Sequence, residues 1–240
     1  MVTSLDSTAP VPARAPHPVF NSAVGGALCL DFVNTVGGWV LADADGEPGR
    51  EDVARVERLT TYEALVDWAG WMGILDARQE LTLLARARVN RRAAIAALRR
   101  AQRLRDGIYR LGRSVTDRLP TPSADLDVLN RELGIARAHQ RLTAPGTVGA
   151  RTDPYLLGWT DDHALDTMLW AVALSAVDLL TSDRISRLGR CPASACGWLF
   201  LDTSRSGRRQ WCDMAVCGNA EKVRRFRERQ RRRPGAARRA

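Results

Sequence analysis

The chain has 240 residues, of which 45% are hydrophobic and 26% charged, and it carries a net charge of +9. Those proportions are ordinary for a soluble globular protein of one large or two modest domains. The most apolar stretch, 168–177, is too short to cross a bilayer and lies between Asp166 and Asp178. With no secretory signal in view, a cytoplasmic, nucleoid-associated location is expected.

The distribution of the charge is more informative than its sum. From residue 187 to the end there are 15 basic and 4 acidic residues, whereas the preceding 186 residues hold 21 basic and 23 acidic. All the positive surplus therefore lies in the last quarter. That asymmetry points to a polyanion-binding module appended to a nearly neutral body. A solvated tail that maintains solubility is the plainer alternative.

Residues 1–19 are rich in proline and read as disordered. In 20–36, Leu28, Phe32 and Val36 recur every four residues, which favours a short helix over a strand. Gly37 and Gly38 end it, and 42–52 reads as a polar loop. Thr60 and Glu63 have capping-box spacing at the start of a helix with Leu65, Trp68 and Met72 on one face, ending near Gly73. Residues 77–118 read as two helices broken near Asn90 or Gly107. Ile95, Leu98, Leu104, Ile108 and Leu111 form their apolar face, and the arginines a solvated one. Ser123 can cap a helix to about residue 142, and a small β-hairpin fits 142–159. Residues 163–180 form a helix apolar nearly all round, buried in the core or at a subunit interface. The fold class expected is mainly α with a small β-hairpin.

Four of the five cysteines, Cys191, Cys196, Cys212 and Cys217, form two Cys-x4-Cys pairs separated by fifteen residues. This is a structural-zinc pattern: each short loop delivers two thiolates, and four can close a tetrahedron at about 2.3 Å from the metal. One Zn²⁺ with no open position is structural, not catalytic. Two disulfides, an iron–sulfur cluster and unconnected buried thiols are the alternatives. Structural zinc contributes roughly 10–16 kcal/mol of apparent binding free energy in finger peptides. A segment with so few apolar residues is expected to fold around the metal and not around a core of its own. Cys29 reads as a small buried side chain.

Beyond Cys217, Asn219 is placed to cap a helix over 220–233, with Val223, Phe226 and Gln230 on a side that could pack on Trp198, Phe200 or Trp211. The expected nucleic-acid contacts are Arg205, Arg208 and Arg209 in the loop, with Lys222, Arg224, Arg225, Arg231 and Arg232 on the helix. Six phosphate contacts would give a salt slope of roughly −5.

From Cys196-Gly197-Trp198-Leu199-Phe200-Leu201-Asp202 through Arg208-Arg209, Trp211-Cys212 and Cys217-Gly218-Asn219, the sequence resembles the CGNR zinc-finger family. Ala220 stands where that family's name has Arg, which removes one candidate phosphate contact but no zinc ligand. Upstream, Leu30-Asp31-Phe32-Val33-Asn34-Thr35 resembles the ABATE domain that commonly precedes this finger. The resemblance implies a bacterial stress-induced transcription regulator. It would comprise an ABATE-like, mostly helical domain over 20–186, a treble-clef-like four-cysteine zinc finger ending in a basic helix over 187–233, and a basic tail over 234–240. It also implies a sensing or dimerising role for the helical domain. Asp31, Asn34 and Thr35, polar groups within an apolar run, are then a candidate ligand pocket. Backbone capping is the commoner explanation for such groups and the favoured reading.

A zinc-dependent, DNA-binding transcriptional regulator is the leading expectation, with double-stranded DNA, a small-molecule effector and a second copy of the chain as partners. An RNA-binding factor using Trp198 and Trp211 as stacking platforms, or a zinc-finger protein–protein interaction module, are the alternatives. No phosphate loop, His-containing zinc site or nucleophile–base pair points to an enzyme.

Overall fold

The computed structural model describes residues 15–20, 22–40, 53–54, 56–143, 147–148, 151–152, 155–161 and 163–232. The loop expected at 42–52, the basic tail at 234–240 and most of the expected disordered segment lie outside them. Within that segment, residues 15–20 lie against helix α2 (Tyr62–Trp71): the Trp71 indole N–H donates to the Ala15 carbonyl at 3.1 Å, and the Phe20 ring lies 6.3 Å from that of Trp71.

Local signals set the helix boundaries. Helix α1 (Leu28–Val33) is buried from Cys29 to Val33. Helix α2 is capped by Thr61, whose side chain accepts from the Ala64 N–H, so the cap falls one residue after the expected Thr60. Glu63 then sits one position too early to bond back. The reciprocal box occurs instead at α3 (Ala77–Val89), where the Gln79 N–H donates to Asp76 and the Asp76 N–H to the Gln79 side chain, at 2.8 and 2.9 Å. Asn90 breaks the chain and caps α4 (Arg91–Thr116), while Gly107 remains within that helix.

Helix α4 is the longest element at 26 residues, about 39 Å at 1.5 Å per residue. Leu98, Ala101, Leu104, Ile108 and Leu111 bury one face, whereas Ile95 is exposed. The expectation that its arginines form a solvated face holds for Arg91, Arg92, Arg99 and Arg103, which are exposed, but is corrected for Arg100, Arg105, Arg110 and Arg113. Arg100 bridges Glu132 and Asp166, and Arg110 pairs with Asp125. Arg105 is 1% exposed and forks onto Glu57 while also holding Asp106. Burying so much cationic surface requires paired carboxylates. Most of these come from segments distant in sequence, out of reach of a local helical pattern.

Helix α5 (Ser123–His139) packs on α4, and α6 (Thr167–Thr181) packs on α5, α1 and α4. Ser123 is the first helical residue of α5, not its cap, and the helix stops where Gln140 enters a strand. The expected hairpin consists of β3 (Gln140–Thr143) antiparallel to β6 (Leu156–Trp159), with β4 (Thr147–Val148) paired to β5 (Arg151–Thr152) between them. A further short pair joins β1 (Trp39–Val40) to β2 (Val53–Ala54). Helix α6 starts four residues later than expected, and its buried face lies in the core of the chain itself. Cys29 is fully buried there, its thiol pushed up to about 12 chiefly by desolvation, which makes it an inert apolar group.

Replacing Arg105 with Ala should lower stability by about 3 kcal/mol, because it strands Glu57 and Asp106 without their shared cation. Chemical denaturation checks this; a loss below about 1 kcal/mol would mean that the cluster is effectively solvated.

Candidate metal centre and nucleic-acid interface

After α6, a 3₁₀ turn (Asp183–Arg187) leads into β7 (Leu188–Arg190), which pairs antiparallel with β8 (Leu199–Leu201). The turn between them carries Cys191 and Cys196. It is closed by the Cys191 N–H to the Trp198 carbonyl at 2.8 Å and the Cys196 N–H to the Ala193 carbonyl at 2.9 Å. Gly197, at φ +67°, lets the chain double back. Past β8, the Asp202 carboxylate accepts the Ser204 and Arg209 N–H groups, each at 2.8 Å, shaping the loop that returns to Cys212. Asp213 caps the next turn by accepting from Ala215 and Val216, a role expected of Asn219. A π turn (Met214–Gly218) carries Cys217 and runs directly into α7 (Asn219–Arg232). A hairpin supplying two thiols and a helix start supplying two more make the treble-clef arrangement.

The four Sγ atoms lie within 4.8 Å of one another, with Cys196 to Cys212 at 3.5 Å and Cys212 to Cys217 at 3.6 Å. A disulfide needs about 2.05 Å, which excludes the paired-disulfide reading. A tetrahedron of sulfurs about 2.3 Å from zinc has edges of about 3.8 Å. The spacing therefore fits one ion, whereas a cluster would hold the thiolates further apart. The electrostatics agree. Cys196 and Cys212 stabilise the Cys191 thiolate and pull its pKa far below the usual thiol value, while that neighbour raises Cys212 and Cys196. Desolvation first, then the Cys191 charge, raises Cys217. Four thiolates this close coexist only around a cation, and one structural zinc fits them.

The finger is not coreless. Trp198, Leu199, Phe200 and Leu201 are buried in the same hydrophobic cluster as α1, α2, α4 and α6. The outer edge of β8 faces the body. The Asn34 side chain donates to the Leu199 carbonyl at 2.8 Å and accepts the Leu199 N–H at 3.2 Å, acting as a substitute strand. The Leu201 N–H reaches the Gly25 carbonyl at 2.7 Å, the Trp39 N–H reaches that of Cys196 at 2.9 Å, and the Trp198 indole N–H reaches that of Val36 at 3.0 Å. At Gly38 a Cβ would fall 2.3 Å from the Ala195 carbonyl oxygen, so only glycine permits this approach. At Asp31, Asn34 and Thr35, the candidate ligand pocket, the structure shows the backbone bonding that was the favoured reading: Asp31 accepts the Gly25 N–H at 2.8 Å, Thr35 donates to the Phe32 carbonyl at 2.7 Å, and Asn34 holds β8. All three serve the backbone.

A family model described as putative stress-induced transcription regulator, ABATE, matches residues 26–183. The chain belongs to the ABATE family. A second model, the CGNR zinc finger, matches residues 187–230. No curated protein matches the chain. The body above is thus the ABATE segment, and the strand spliced onto it belongs to the CGNR finger.

The CGNR finger's basic residues divide into two groups. Arg209, expected at nucleic acid, points inward. It donates to the carbonyls of Trp211, Leu201, Val24 and Cys212, and its guanidinium lies 4.5 Å from the centre of the Phe200 ring. Arg224 pairs with Glu221 and Glu228, and Arg225 with Glu221. The hydrogen bond from Arg224 holds the Glu221 carboxyl down to about 2. Arg205, Arg208, Lys222 and Arg231 are exposed, and they make no ion pair among the described residues. The side chain of Arg232 lies outside those residues. Arg227, which the sequence reading omitted, lines the same side of α7 as Arg224 and Arg231. Its helical spacing from both was the available signal. The expected packing of Val223 and Phe226 on the finger does not occur, and both are exposed. Trp198, expected as a base-stacking platform on the RNA reading, is buried.

Asn34→Ala should cost about 2–4 kcal/mol by leaving the Leu199 N–H and carbonyl unpaired in the core, measured by denaturant unfolding of the zinc-loaded chain. A cost below about 1 kcal/mol would show that β8 does not need the splice. Zinc binding must displace protons from the raised thiols, so affinity should fall as pH drops from about 8 to about 6. Competition with a chromophoric chelator checks this; pH-independent affinity would exclude thiol ligands.

Proposed function

We propose that this ABATE-family chain is a zinc-dependent DNA-binding transcriptional regulator in which α7 and the 204–208 loop are the nucleic-acid surface. One observation carries the reading. Helix α7 extends from the metal site with seven basic and two acidic residues, and its side chains are exposed from Lys222 through Arg231. Its fourteen residues span about 21 Å, a helix that fits a major groove about 12 Å wide. Zinc's role is to hold that helix at a fixed angle to the hairpin, since Cys217 lies on the turn that begins it.

The same proposal makes the chain a non-enzyme, with double-stranded DNA as the principal partner. A small effector acts through the ABATE body, a second copy is a further partner, and the location is cytoplasmic at the nucleoid. Among the described residues no helix is long and apolar enough to cross a membrane.

Arg205, Arg208, Lys222, Arg227 and Arg231 are the five cations best placed for phosphates. Binding of the full zinc-loaded chain to a genomic duplex should then show a log–log salt slope of roughly −4 to −5. The double variant Arg205→Ala/Arg208→Ala should flatten that slope by about 2. Fluorescence anisotropy over a salt series measures both. Salt-independent binding, or no duplex binding at low salt, would overturn the proposal.

A further inference from the structure

Phosphate contacts account for the cations of α7 but not for its exposed apolar side chains. A helix with seven basic residues gains nothing in water from Val223 and Phe226, yet these are 48% and 57% exposed. Val216, on the π turn just before the helix, is 64% exposed. Single apolar residues on a surface are ordinary, whereas these are grouped. Val216, Ala220 and Val223 line one groove together with Arg227 and Arg231.

The surroundings of the stripe select its occupant. At about 100° per residue, Val223 and Phe226 lie about 60° apart around the helix, with Gln230 between them. Lys222 and Arg229 flank the stripe on the Phe226 side, and Arg227 and Arg231 flank it on the Val223 side. All four cations are exposed, and none makes an ion pair among the described residues. An apolar strip between two cationic margins matches a major groove, where base edges lie between two phosphate backbones. A second copy of α7 seated on the stripe would set like charges against each other. A lipid surface would bury the Gln230 amide without a partner, whereas the edge of adenine offers one.

We propose that this stripe is the base-reading face of α7: Val223 and Phe226 rest on thymine C5 methyl groups in the major groove, while the flanking cations hold the two backbones. The two side chains are about 4.5 Å apart along the helix axis, against about 3.4 Å between stacked base pairs. They therefore meet methyl groups on neighbouring pairs. The assignment rests on the DNA-binding reading and gives that surface a preference, for A·T-rich duplex.

The test uses the full zinc-loaded chain and two duplexes of about twenty alternating A·T pairs, one with thymine and one with uracil throughout, which differ only by the C5 methyl groups. Burying one methyl group is worth about a factor of four in affinity, so the thymine duplex should bind roughly tenfold more tightly in fluorescence anisotropy. The double variant Val223→Ala/Phe226→Ala, altered only at exposed positions, should bring the two duplexes to within about twofold of each other. Equal binding of both duplexes by the parent chain, with a steep salt slope, would overturn the assignment and leave the DNA reading standing. Failure to bind either duplex would remove both. A thymine preference that survives in the double variant would also overturn the assignment. So would the absence of that preference combined with loss, in the double variant, of a dimer or of binding to phosphatidylglycerol vesicles.

Discussion

A strand buried on both faces, with only one neighbouring strand, must satisfy its second edge or lose several hydrogen bonds. Strand β8 is that strand, and the rest of the C-terminal architecture depends on how its edge is closed. Phe200 faces β7, so Leu199 and Leu201 turn their backbone groups toward the body. They meet a side-chain amide, a loop carbonyl and a guanidinium: Asn34, Gly25 and Arg209. None of these comes from a strand. The edge is therefore covered without exposing a ladder to other chains, and the finger joins the body through polar bonds set inside an apolar cluster.

The metal and the splice support each other. Zinc fixes the hairpin to the start of α7, and Arg209 ties the intervening loop both to the finger's own carbonyls and to Val24 of the body. A tetrathiolate site alone would make a small knot able to pivot on its linker. With β8 in the common core, the direction of α7 is set by the ABATE body as well as by the metal. Basic residues are divided accordingly. Arg209 points inward to carbonyls, as does Arg187, which donates to the Asp202 and Ser204 carbonyls. The outward set on the loop and on α7 remains accessible to a polyanion.

Much of this was legible in the sequence, for physical reasons. The cysteine spacing reflects the reach of two short turns, so the ligands could be identified without coordinates. The i, i+3, i+4 patterns of α2, α4 and α6 gave the buried faces because each helix has one core to meet. What remained hidden depends on partners far apart in sequence. Asn34 and Leu199 are separated by 165 residues, and Arg105 and Glu57 by 48. Nothing near Asn34 indicates that its amide imitates a strand, and an arginine-rich helix face looks the same whether its carboxylates arrive from elsewhere or water does. Smaller differences came from caps. A hydroxyl at Thr60 and one at Thr61 compete for the same helix start, and the backbone geometry selects Thr61. Asp213 displaces Asn219 because the π turn moves the first uncapped N–H groups upstream of Cys217.

The mutual dependence of metal and splice is tested most directly by amide hydrogen exchange at Leu199 and Leu201 in the full chain, with zinc bound and after its removal by a chelator. Strong protection with zinc, lost at both amides on chelation while α4 and α6 stay protected, is the expected result. Protection at Leu199 and Leu201 that survives complete removal of the metal would contradict the coupling, and the finger would then be held by the body alone.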